Sequence, residues 1–367
     1  MKIEAAVVRK EGGAFGIEPL QLADPQSDEV VVKIAGAGVC HTDLVCRDQY
    51  FPVPLPCVFG HEGSGVVQQV GSAVTRVKPG DHVVLSFSSC QQCPSCIAGK
   101  PAYCHQLYQH NFLGTRTDGS SAWSAEGEVV HGHFFAQSSF GTYALASERN
   151  TVKVRQDAPL WLLGPLGCGV QTGAGAVINS LQPKAGSTLA VFGAGTVGLS
   201  AVMAARLCGC ATIIAVDPLA SRRELALELG ATHVIDPKAE NPVEKIQALT
   251  PGGVMYSVEC TGLPSVVRQA VESLTLTGVC GVMGVSRLGT EMKLDMNSIL
   301  FGRTVRGIIE GDSVPQEFIP RLIDLYLQGR FPFDKLVTPF PFSEIQRAVG
   351  ASEEGKVVKA VLKMASP

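Results

Sequence analysis

A glycine-rich turn at residues 193–198 constrains the fold of this chain more than any other feature of its sequence. The turn, GAGTVG, follows an apolar run at 189–192 and precedes a stretch rich in Ala and Leu. Between a strand and a helix, Gly193 permits a tight turn, Gly195 lets a pyrophosphate approach the backbone, and Gly198 lets helix and strand pack closely. With 40 glycines in the chain the motif alone is weak, and a turn without a ligand is the alternative.

The sequence after this turn alternates between strand and helix patterns. An apolar run at 212–216 is followed by a helical pattern at 222–229 and a short strand pattern at 233–235. This alternation predicts a parallel sheet with helices on both faces. Asp217 ends the second strand, where its carboxylate is placed to accept a hydrogen bond from a ribose 2′-OH and would repel a 2′-phosphate, which favours NAD. Arg222 weakens that preference, because a nearby cation tolerates an additional phosphate.

The rest of the chain has a different pattern, which divides it into two domains. Residues 1–170 contain short apolar runs separated by Gly and Pro, as is typical of β-rich structure. Beyond the alternating region, a helix is predicted at 316–328 and a strand at 356–363. We therefore predict an α/β protein in which 1–170 and 311–367 form a β-rich domain and 171–310 form a dinucleotide-binding domain.

Composition and charge exclude several classes of partner. The 367 residues are 46% hydrophobic and 17% charged, which is typical of a folded protein with two cores. The net charge of −3 gives no electrostatic reason to expect nucleic acid or an anionic membrane surface. The sequence contains no apolar run that could span a bilayer, and its start lacks the features of a signal peptide. We expect a cytoplasmic protein that binds a small molecule, not nucleic acid or a membrane.

Four of the twelve cysteines lie in one short segment, at Cys90, Cys93, Cys96 and Cys104. Two gaps of two residues and a third of seven allow the four sulfurs to surround one tetrahedral ion. A shell of four thiolates leaves no position for substrate, so this ion would be structural zinc. Disulfides or unpaired thiols are the alternatives, and a reducing compartment disfavours disulfides. A nucleic-acid-binding zinc module would also need a basic surface, which this segment lacks.

Two further cysteines and one histidine lie in glycine-rich surroundings. They are Cys40, His61, which is followed by Glu62, and Cys168. Two thiolates and one imidazole with an open fourth position form a catalytic zinc site in some enzymes. Taken singly, however, each residue has an ordinary explanation, because a lone Cys is usually a small buried apolar side chain. Their spacing alone does not show that they meet.

These motifs together resemble the zinc-containing medium-chain alcohol dehydrogenases over essentially the whole chain. The motifs are GVCHTD at 38–43, GHEGSG at 60–65, the four-cysteine segment, GPLGCGVQTGAGA at 164–176, GAGTVG at 193–198 and Asp217. Segments 41–49 and 331–337 look most like bacterial aryl (benzyl) alcohol dehydrogenases. The resemblance implies a GroES-like catalytic domain, a doubly wound Rossmann domain that binds NAD, a catalytic and a structural zinc ion, and a homo-oligomer, either a dimer or a tetramer.

The resemblance also implies roles for individual residues. Cys40, His61 and Cys168 correspond to ligands of the catalytic zinc, with Glu62 beside the ion. Thr42 corresponds to the hydroxyl that accepts the proton of the alcohol. The residues that correspond to cofactor contacts are His41, Thr172, Gly193, Gly195, Val197, Gly198, Asp217, Arg222 and Lys359. Among these, Thr172 and Val197 fall near the nicotinamide, and His41 and Lys359 fall at positions that contact the pyrophosphate in relatives.

The sequence departs from the family pattern at two positions. Many members have a histidine three residues after the relay hydroxyl, where this chain has Val45. Proton release must then use the cofactor ribose, water or another base. Many relatives also have arginine where this chain has His41, and a neutral imidazole would hold a pyrophosphate less strongly than arginine does.

We therefore expect a zinc-dependent oxidoreductase that interconverts primary alcohols, of the benzyl type, and aldehydes with NAD. Dehydrogenases of allylic or terpenoid alcohols, of glutathione adducts or of polyols are alternatives within the family. A zinc-free reductase of quinones or enones would lack the ligands Cys40, His61 and Cys168. A zinc- or nucleotide-binding module without catalytic activity would lack those ligands or Thr42, and all four are present.

Overall fold

A computed structural model describes residues 1–365 and divides the chain into two compact units. The first unit comprises Met1–Cys168, Val314–Leu327 and the residues from Asp334 onward, and the second comprises Gly169–Ser313 and Gln328–Phe333. The segment Gln328–Phe333 was predicted to belong to the β-rich domain. That expectation is wrong, because this segment makes its contacts with the second unit.

The described residues form eighteen strands. They are β1 Lys2–Val8, β2 Gly16–Leu22, β3 Glu29–Gly38, β4 Cys57–Val58, β5 Gly63–Val70, β6 His82–Leu85, β7 Trp123–Ala125, β8 Glu128–Val130, β9 Tyr143–Ser147, β10 Thr151–Lys153, β11 Thr188–Phe192, β12 Thr212–Val216, β13 His233–Ile235, β14 Val254–Glu259, β15 Leu274–Val282, β16 Thr304–Gly307, β17 Val337–Pro341 and β18 Lys359–Lys363.

Eleven α-helices lie between these strands in the described part of the chain. They are α1 His41–Arg47, α2 Pro94–Ile97, α3 Leu107–Asn111, α4 Gly169–Gly175, α5 Thr196–Leu207, α6 Ala220–Leu229, α7 Pro242–Leu249, α8 Pro264–Glu272, α9 Met296–Leu300, α10 Pro315–Leu327 and α11 Ile345–Glu353. Helix α4 continues into a π-helical segment at Ala176–Leu181. Short 3₁₀ turns occupy Pro101–Tyr103, Phe134–Ala136, Glu148–Asn150, Leu160–Leu162, Gly164–Gly167, Glu310–Asp312, Phe333–Leu336 and Phe342–Glu344.

Two sheets form the first unit, as its alternating apolar and polar runs predict. One has the strand order β4-β1-β2-β7-β8, and the other has the order β10-β6-β5-β3-β18-β17 with β9 also paired to β3. The long strand β3 lies in the middle of the second sheet and pairs with β5, β9 and β18. Its end at Gly38 leads directly into α1, so this central strand positions the segment that begins at Cys40.

The segment 113–133, which its Ser, Gly and Thr content predicts to be an exposed loop, contains a short hairpin. Strands β7 and β8 pair here, and β7 also adds to the edge of β2. The anchor is Trp123, which is fully buried in a core cluster with Leu20 and Leu22. One tryptophan among small polar residues gives no periodic signal, and only burial against β2 makes this segment a strand.

The second unit is built on one parallel sheet of six strands. The order is β13-β12-β11-β14-β15-β16, with parallel pairing throughout. Numbered from β11, this is the order 3-2-1-4-5-6 of a doubly wound dinucleotide-binding fold, which confirms the predicted fold class. The order reverses between β11 and β14, and ligands bind such sheets beyond the carboxyl ends of the strands at that point. Within residues 1–365, no helix is both long and apolar enough to cross a membrane.

Candidate functional site

The four clustered cysteines of the first unit converge on one point. Their four sulfur atoms lie within 4.8 Å of one another, and the Sγ atoms of Cys90 and Cys96 are 3.9 Å apart. Zn–S bonds of about 2.3 Å in a tetrahedron place sulfurs about 3.8 Å apart, so the donor set fits a closed zinc site. None of the twelve cysteines is in a disulfide within the described part of the chain.

Backbone N–H groups stabilise the thiolate form of two of these cysteines, Cys90 and Cys93. The N–H of His105 donates to Cys93 Sγ at 3.5 Å, and this contact is the main cause that lowers the pKa of Cys93 to about 6. The N–H of Cys93 donates in turn to Cys90 Sγ at 3.3 Å. A thiolate is the form that binds a metal, so these contacts favour metal binding by Cys90 and Cys93, whereas burial raises the pKa of Cys96 and Cys104.

A second cluster in the first unit joins residues that are far apart in sequence. Cys40 follows β3, His61 and Glu62 precede β5, and Cys168 follows the 3₁₀ turn Gly164–Gly167. One ligand atom from each of the four lies within 4.8 Å of the others. The structure thus brings together the three ligands and the carboxylate that the resemblance implied, although sequence spacing did not connect them.

The imidazole of His61 has the orientation of a metal ligand. Its ring is fully buried, and its Nδ1 atom lies 2.9 Å from the carboxylate of Asp43. Its Nε2 atom is also buried but has no hydrogen-bond partner in the described residues. Metal-binding histidines commonly donate one ring N–H to a carboxylate and bind the ion with the other nitrogen. A zinc ion bound by Cys40, His61 and Cys168 would provide a partner for the Nε2 atom of His61.

Asp43 organises this site, and the sequence analysis missed its role. Besides His61, its carboxylate accepts hydrogen bonds from the N–H groups of Cys40 at 2.9 Å and Gly60 at 3.1 Å. It therefore ties two ligand-bearing segments to one buried carboxylate. Its position as the third residue of α1, directly after the N-cap Cys40, was an available signal, since acidic residues in a first turn bind free N–H groups.

Lys359 has a different role from the expected pyrophosphate contact. Its Nζ atom is buried and lies 2.9 Å from both carboxylate oxygens of Glu62 and 2.9 Å from the carbonyl oxygen of Val39. An ammonium group has three N–H donors, and these contacts use all of them. The structure therefore does not support the contact with the cofactor. Burial lowers the pKa of Lys359, but the charges of Glu62 and Cys40 raise it more, so the ammonium stays charged.

Thr42, two residues after Cys40, lies beside the ligand cluster. A hydrogen bond with Cys168 lowers the pKa of Cys40 well below its usual value, against the effect of burial, which favours thiolate ligands. The Thr42 hydroxyl lies 3.8 Å from Cys40 Sγ, and this side chain is only partly buried. Val45, one turn further along α1, is buried and carries no group that could accept a proton.

Aromatic side chains surround the imidazole of His61. The ring of Phe135 stacks on it with centroids 4.4 Å apart and planes at 23°, and Phe134 meets it edge-on at 5.5 Å. Phe112 contacts both of these rings and lies 4.6 Å from Phe51. The sequence analysis did not identify this wall, because the rings come from three separate segments without a common motif.

The glycine-rich turn of the second unit has the geometry that its sequence predicts. Gly193 has φ +91°, a conformation that glycine adopts at little cost. A Cβ atom at Gly198 would lie 1.9 Å from the carbonyl oxygen of Gly193, so helix α5 packs directly on the turn. A Cβ atom at Gly195 would have no atom within 4 Å, which leaves the N-terminus of α5 open to an anion.

The other residues expected to contact the cofactor lie as follows. The carboxylate of Asp217 accepts hydrogen bonds from the N–H groups of Ala194 and Leu219, both at 2.8 Å. The bond from Ala194 also fixes the glycine-rich turn, of which Ala194 is a part. Burial lowers the pKa of the Arg222 guanidinium, while the charge of Asp217 opposes this effect. In the second unit Thr172 lies on α4 and Val197 on α5; in the first unit His41 is exposed at the start of α1.

Comparisons with known proteins agree with this arrangement. Residues 26–156 match the family profile "Alcohol dehydrogenase GroES-like domain", and residues 196–328 match "Zinc-binding dehydrogenase". A geraniol dehydrogenase from Castellaniella defragrans is 50% identical over 362 residues, which cover 98% of this chain and 97% of the relative. Alcohol dehydrogenase 1 from Zea mays is 36% identical over 371 residues, which cover 99% and 98%.

Two solved structures are similar along their whole length. The crystal structure of a benzyl alcohol dehydrogenase from Acinetobacter calcoaceticus has 49% identity, a TM-score of 0.97 and coverage of 100% of both chains. An alcohol dehydrogenase zinc-binding domain protein from Burkholderia ambifaria has 54% identity, a TM-score of 0.98 and coverage of 100% of both chains.

Proposed function

The chain belongs to the zinc-binding alcohol dehydrogenases, and we propose that it interconverts primary alcohols and aldehydes of the aryl, benzyl-type class with NAD. The observation that carries the catalytic part of this proposal is the convergence of Cys40, His61, Glu62 and Cys168 in the first unit. Two thiolates and one imidazole leave a fourth position of a zinc ion open to a substrate oxygen. The four-thiolate cluster fits the second, structural zinc ion.

The residues of the site support alcohol oxidation as follows. When bound, zinc would supply Lewis-acid chemistry that lowers the pKa of an alcohol, and NAD would accept the hydride. Asp43 orients His61, and the Glu62–Lys359 pair lies behind Cys40. The Thr42 hydroxyl accepts the alcohol proton and must pass it on, since a hydroxyl does not keep an extra proton at neutral pH. Val45 has no group that could accept this proton. The proton would therefore have to leave through water, another base or the ribose of the bound cofactor.

NAD is favoured over NADP by the position of Asp217. Its carboxylate directly follows β12, at the edge of the sheet where an adenosine ribose binds in this fold. A 2′-phosphate there would face a buried negative charge, and the partly compensating Arg222 is itself buried, at 8% exposure. We infer that the rate with NADP is well below the rate with NAD.

An aryl substrate is favoured by the aromatic wall beside His61. Phe134 and Phe135 pack on the imidazole of His61, and the partly buried Phe112 contacts both rings, so the surroundings of the ligand cluster are apolar and aromatic. An aryl group pairs with aromatic side chains in stacked or edge-on geometry. The similar benzyl alcohol dehydrogenase supports the same class. The similar geraniol dehydrogenase supports the alternative, an allylic terpenoid alcohol, whose flat C=C–C–OH unit fits the same wall.

The test compares kcat/KM for benzyl alcohol, geraniol, cyclohexylmethanol and ethanol at saturating NAD. Cyclohexylmethanol is the matched control, because it has the size of benzyl alcohol without the π system. We expect benzyl alcohol to exceed cyclohexylmethanol by about tenfold, since an aromatic pair contributes about 0.5–1.5 kcal/mol beyond burial. A higher value for geraniol would replace the aryl assignment by the terpenoid one. Equal values for all four alcohols would contradict both assignments.

We also propose that the chain forms a homo-oligomer through its second unit. Within the part of the chain that the structure describes, strand β16 pairs only with β15 and forms an open edge of the parallel sheet. Large apolar side chains near this edge are exposed, among them Met296 at 85% and Leu300 at 74%. Exposed apolar side chains next to an open strand edge are typical of a subunit interface. A cytoplasmic location stays a prediction from the sequence.

A further inference from the structure

Gln137 is a fully buried amide at the centre of a strained backbone segment in the first unit. Of the six residues from His133 to Ser138, four that are not glycine have positive φ, namely His133, Phe135, Ala136 and Ser138. Each such residue costs about 1–2 kcal/mol, so the surrounding structure must compensate for this conformation. The segment turns the Gln137 side chain inward, where it is 0% exposed.

All three hydrogen bonds of the Gln137 amide go to main-chain groups near zinc ligands. Its Nε2 donates to the carbonyl oxygen of His61 at 2.9 Å, and its Oε1 accepts the N–H of Gly63 at 3.1 Å. The amide thus holds the backbone on both sides of Glu62. The second hydrogen of Nε2 points to the carbonyl oxygen of Ser86 at 3.1 Å.

Ser86 extends this contact to the segment of the third ligand. Its hydroxyl donates to the carbonyl oxygen of Gly167 at 2.7 Å, and Gly167 directly precedes Cys168. The two backbones touch here, because a Cβ atom at Gly167 would lie 2.1 Å from the carbonyl oxygen of Leu85. Asn150, also buried, donates to the carbonyl oxygens of Ser86, Phe135 and Ala136 at 3.1–3.2 Å and holds the strained segment in place.

We propose that Gln137 is a positioning residue of the catalytic metal site. With Ser86 it links the backbone at His61 to the backbone before Cys168 and so sets the separation of two metal ligands. This inference rests on the proposed zinc site. Asp43 links His61 to Cys40 from the other side, so the two buried networks together hold all three ligands.

The size of the expected effect follows from metal sites in general. Removing an outer partner of a ligand commonly lowers metal affinity about 10- to 100-fold. Gln137→Met keeps the length of the side chain but leaves the His61 carbonyl and the Gly63 N–H without their partner. We therefore expect zinc at Cys40, His61 and Cys168 to dissociate about 10- to 100-fold faster in this variant. Zinc in the four-cysteine site should be released at the wild-type rate, because the hydrogen bonds of the Gln137 amide go to His61, Gly63 and Ser86.

The experiment follows zinc release to a chelator from purified full-length protein that was first shown to hold two zinc ions per chain. Cobalt replacement adds a second readout, because the ligand-field absorption of a two-thiolate site reports distortion without any turnover. Gln137→Glu keeps the acceptor for Gly63 and, when protonated, one donor, so it should fall between the wild type and Gln137→Met. Ser86→Ala removes the hydroxyl that donates to the carbonyl oxygen of Gly167 and provides a second variant if Gln137→Met does not fold.

Asn111→Leu is the matched control. Asn111 is equally buried in the same unit and makes three main-chain hydrogen bonds, to the N–H and carbonyl of Ser88 and the carbonyl of Leu107. Wild-type zinc release and an unchanged cobalt spectrum in Gln137→Met and Ser86→Ala, or equal acceleration in Asn111→Leu, would overturn the proposal. A wild-type protein with only one zinc ion would instead overturn the proposed function and this inference with it.

Discussion

At the scale of single residues, the partner of an ionisable side chain decides what that side chain does. The buried Lys359 faces Glu62, and an ion pair of this kind is costly to break from one side, by about 3–5 kcal/mol, because the remaining charge stays buried. The pair therefore stabilises the backbone behind Cys40 and is not available to an anion. His41 is exposed at the start of α1, and its contact with the cofactor stays a prediction.

Val45 is the residue at which the proton path can be tested. A well-positioned general base accelerates a reaction about 100- to 10,000-fold. We expect Val45→His to raise kcat by about tenfold near pH 7, less than that range, because the imidazole is not aligned by partners of its own. The new imidazole, with an ordinary pKa of about 6.5, accepts a proton only when neutral. Because position 45 is buried, desolvation lowers the pKa of the imidazole, so the profile of kcat against pH should gain a rise at or below about pH 6.5. Steady-state rates with benzyl alcohol from pH 5.5 to 9 measure this.

Two companion variants show whether the effect belongs to the relay. Val45→Leu enlarges the side chain without a titrating group and should leave the shape of the pH profile unchanged. Thr42→Val should abolish turnover in either background, because it removes the hydroxyl that accepts the proton and keeps the shape of the residue. An unchanged pH profile in Val45→His would count against an incomplete relay.

At the scale of elements, the three glycines of the 193–198 turn serve different physical needs. Gly198 is required for folding, because a Cβ atom would lie 1.9 Å from the carbonyl oxygen of Gly193. Gly195 is surrounded by open space and has an ordinary φ of −81°, so nothing in the folded chain prevents alanine there. Its glycine is therefore explained only by the approach of a ligand.

This difference predicts opposite phenotypes for two alanine variants. Gly198→Ala should lower the free energy of unfolding by about 1–3 kcal/mol through overpacking. Gly195→Ala should change stability by less than about 0.5 kcal/mol yet weaken NADH binding roughly 10- to 100-fold, as the loss of close backbone contact implies. Urea unfolding and NADH fluorescence titration measure the two effects. A destabilised Gly195→Ala variant with unchanged NADH affinity would refute this assignment.

At the scale of the whole molecule, the open edge of the parallel sheet sets the prediction for assembly. We expect a dimer or tetramer in light scattering after size exclusion. Leu300→Asp should lower the mass toward the monomer, because it places a charge on the apolar surface that a second copy would bury. Leu300 is 74% exposed, so the substitution should hardly affect folding of the single chain.

Val129→Asp is the control for this prediction. Val129 is 56% exposed and lies on β8, in the first unit. The Val129→Asp variant should keep the mass of the wild-type assembly. If both variants keep the wild-type mass, the exposed surface near β16 is not the interface. If the wild type is itself a monomer, the oligomer proposal is wrong.

Much of the fold could be predicted from the sequence because its signals are local. The alternation of apolar and helical runs from residue 187 onward predicted the parallel sheet, since strands buried on both faces must be apolar along their whole length. Trp123 shows the limit of this approach. Its strand has three residues, too few for a periodic pattern, and it exists because the ring is buried against β2.

The sequence by itself determined the two-part fold, the glycine-rich turn and the four-cysteine cluster, because each depends on residues within a few positions of one another. Only the tertiary structure decided that Cys40, His61 and Cys168 share one site, that Lys359 faces Glu62, and that Gln137 supports the ligand backbone. These contacts join residues up to 297 positions apart. The chain path through the sheets of the first unit sets these distances, and no local pattern encodes them.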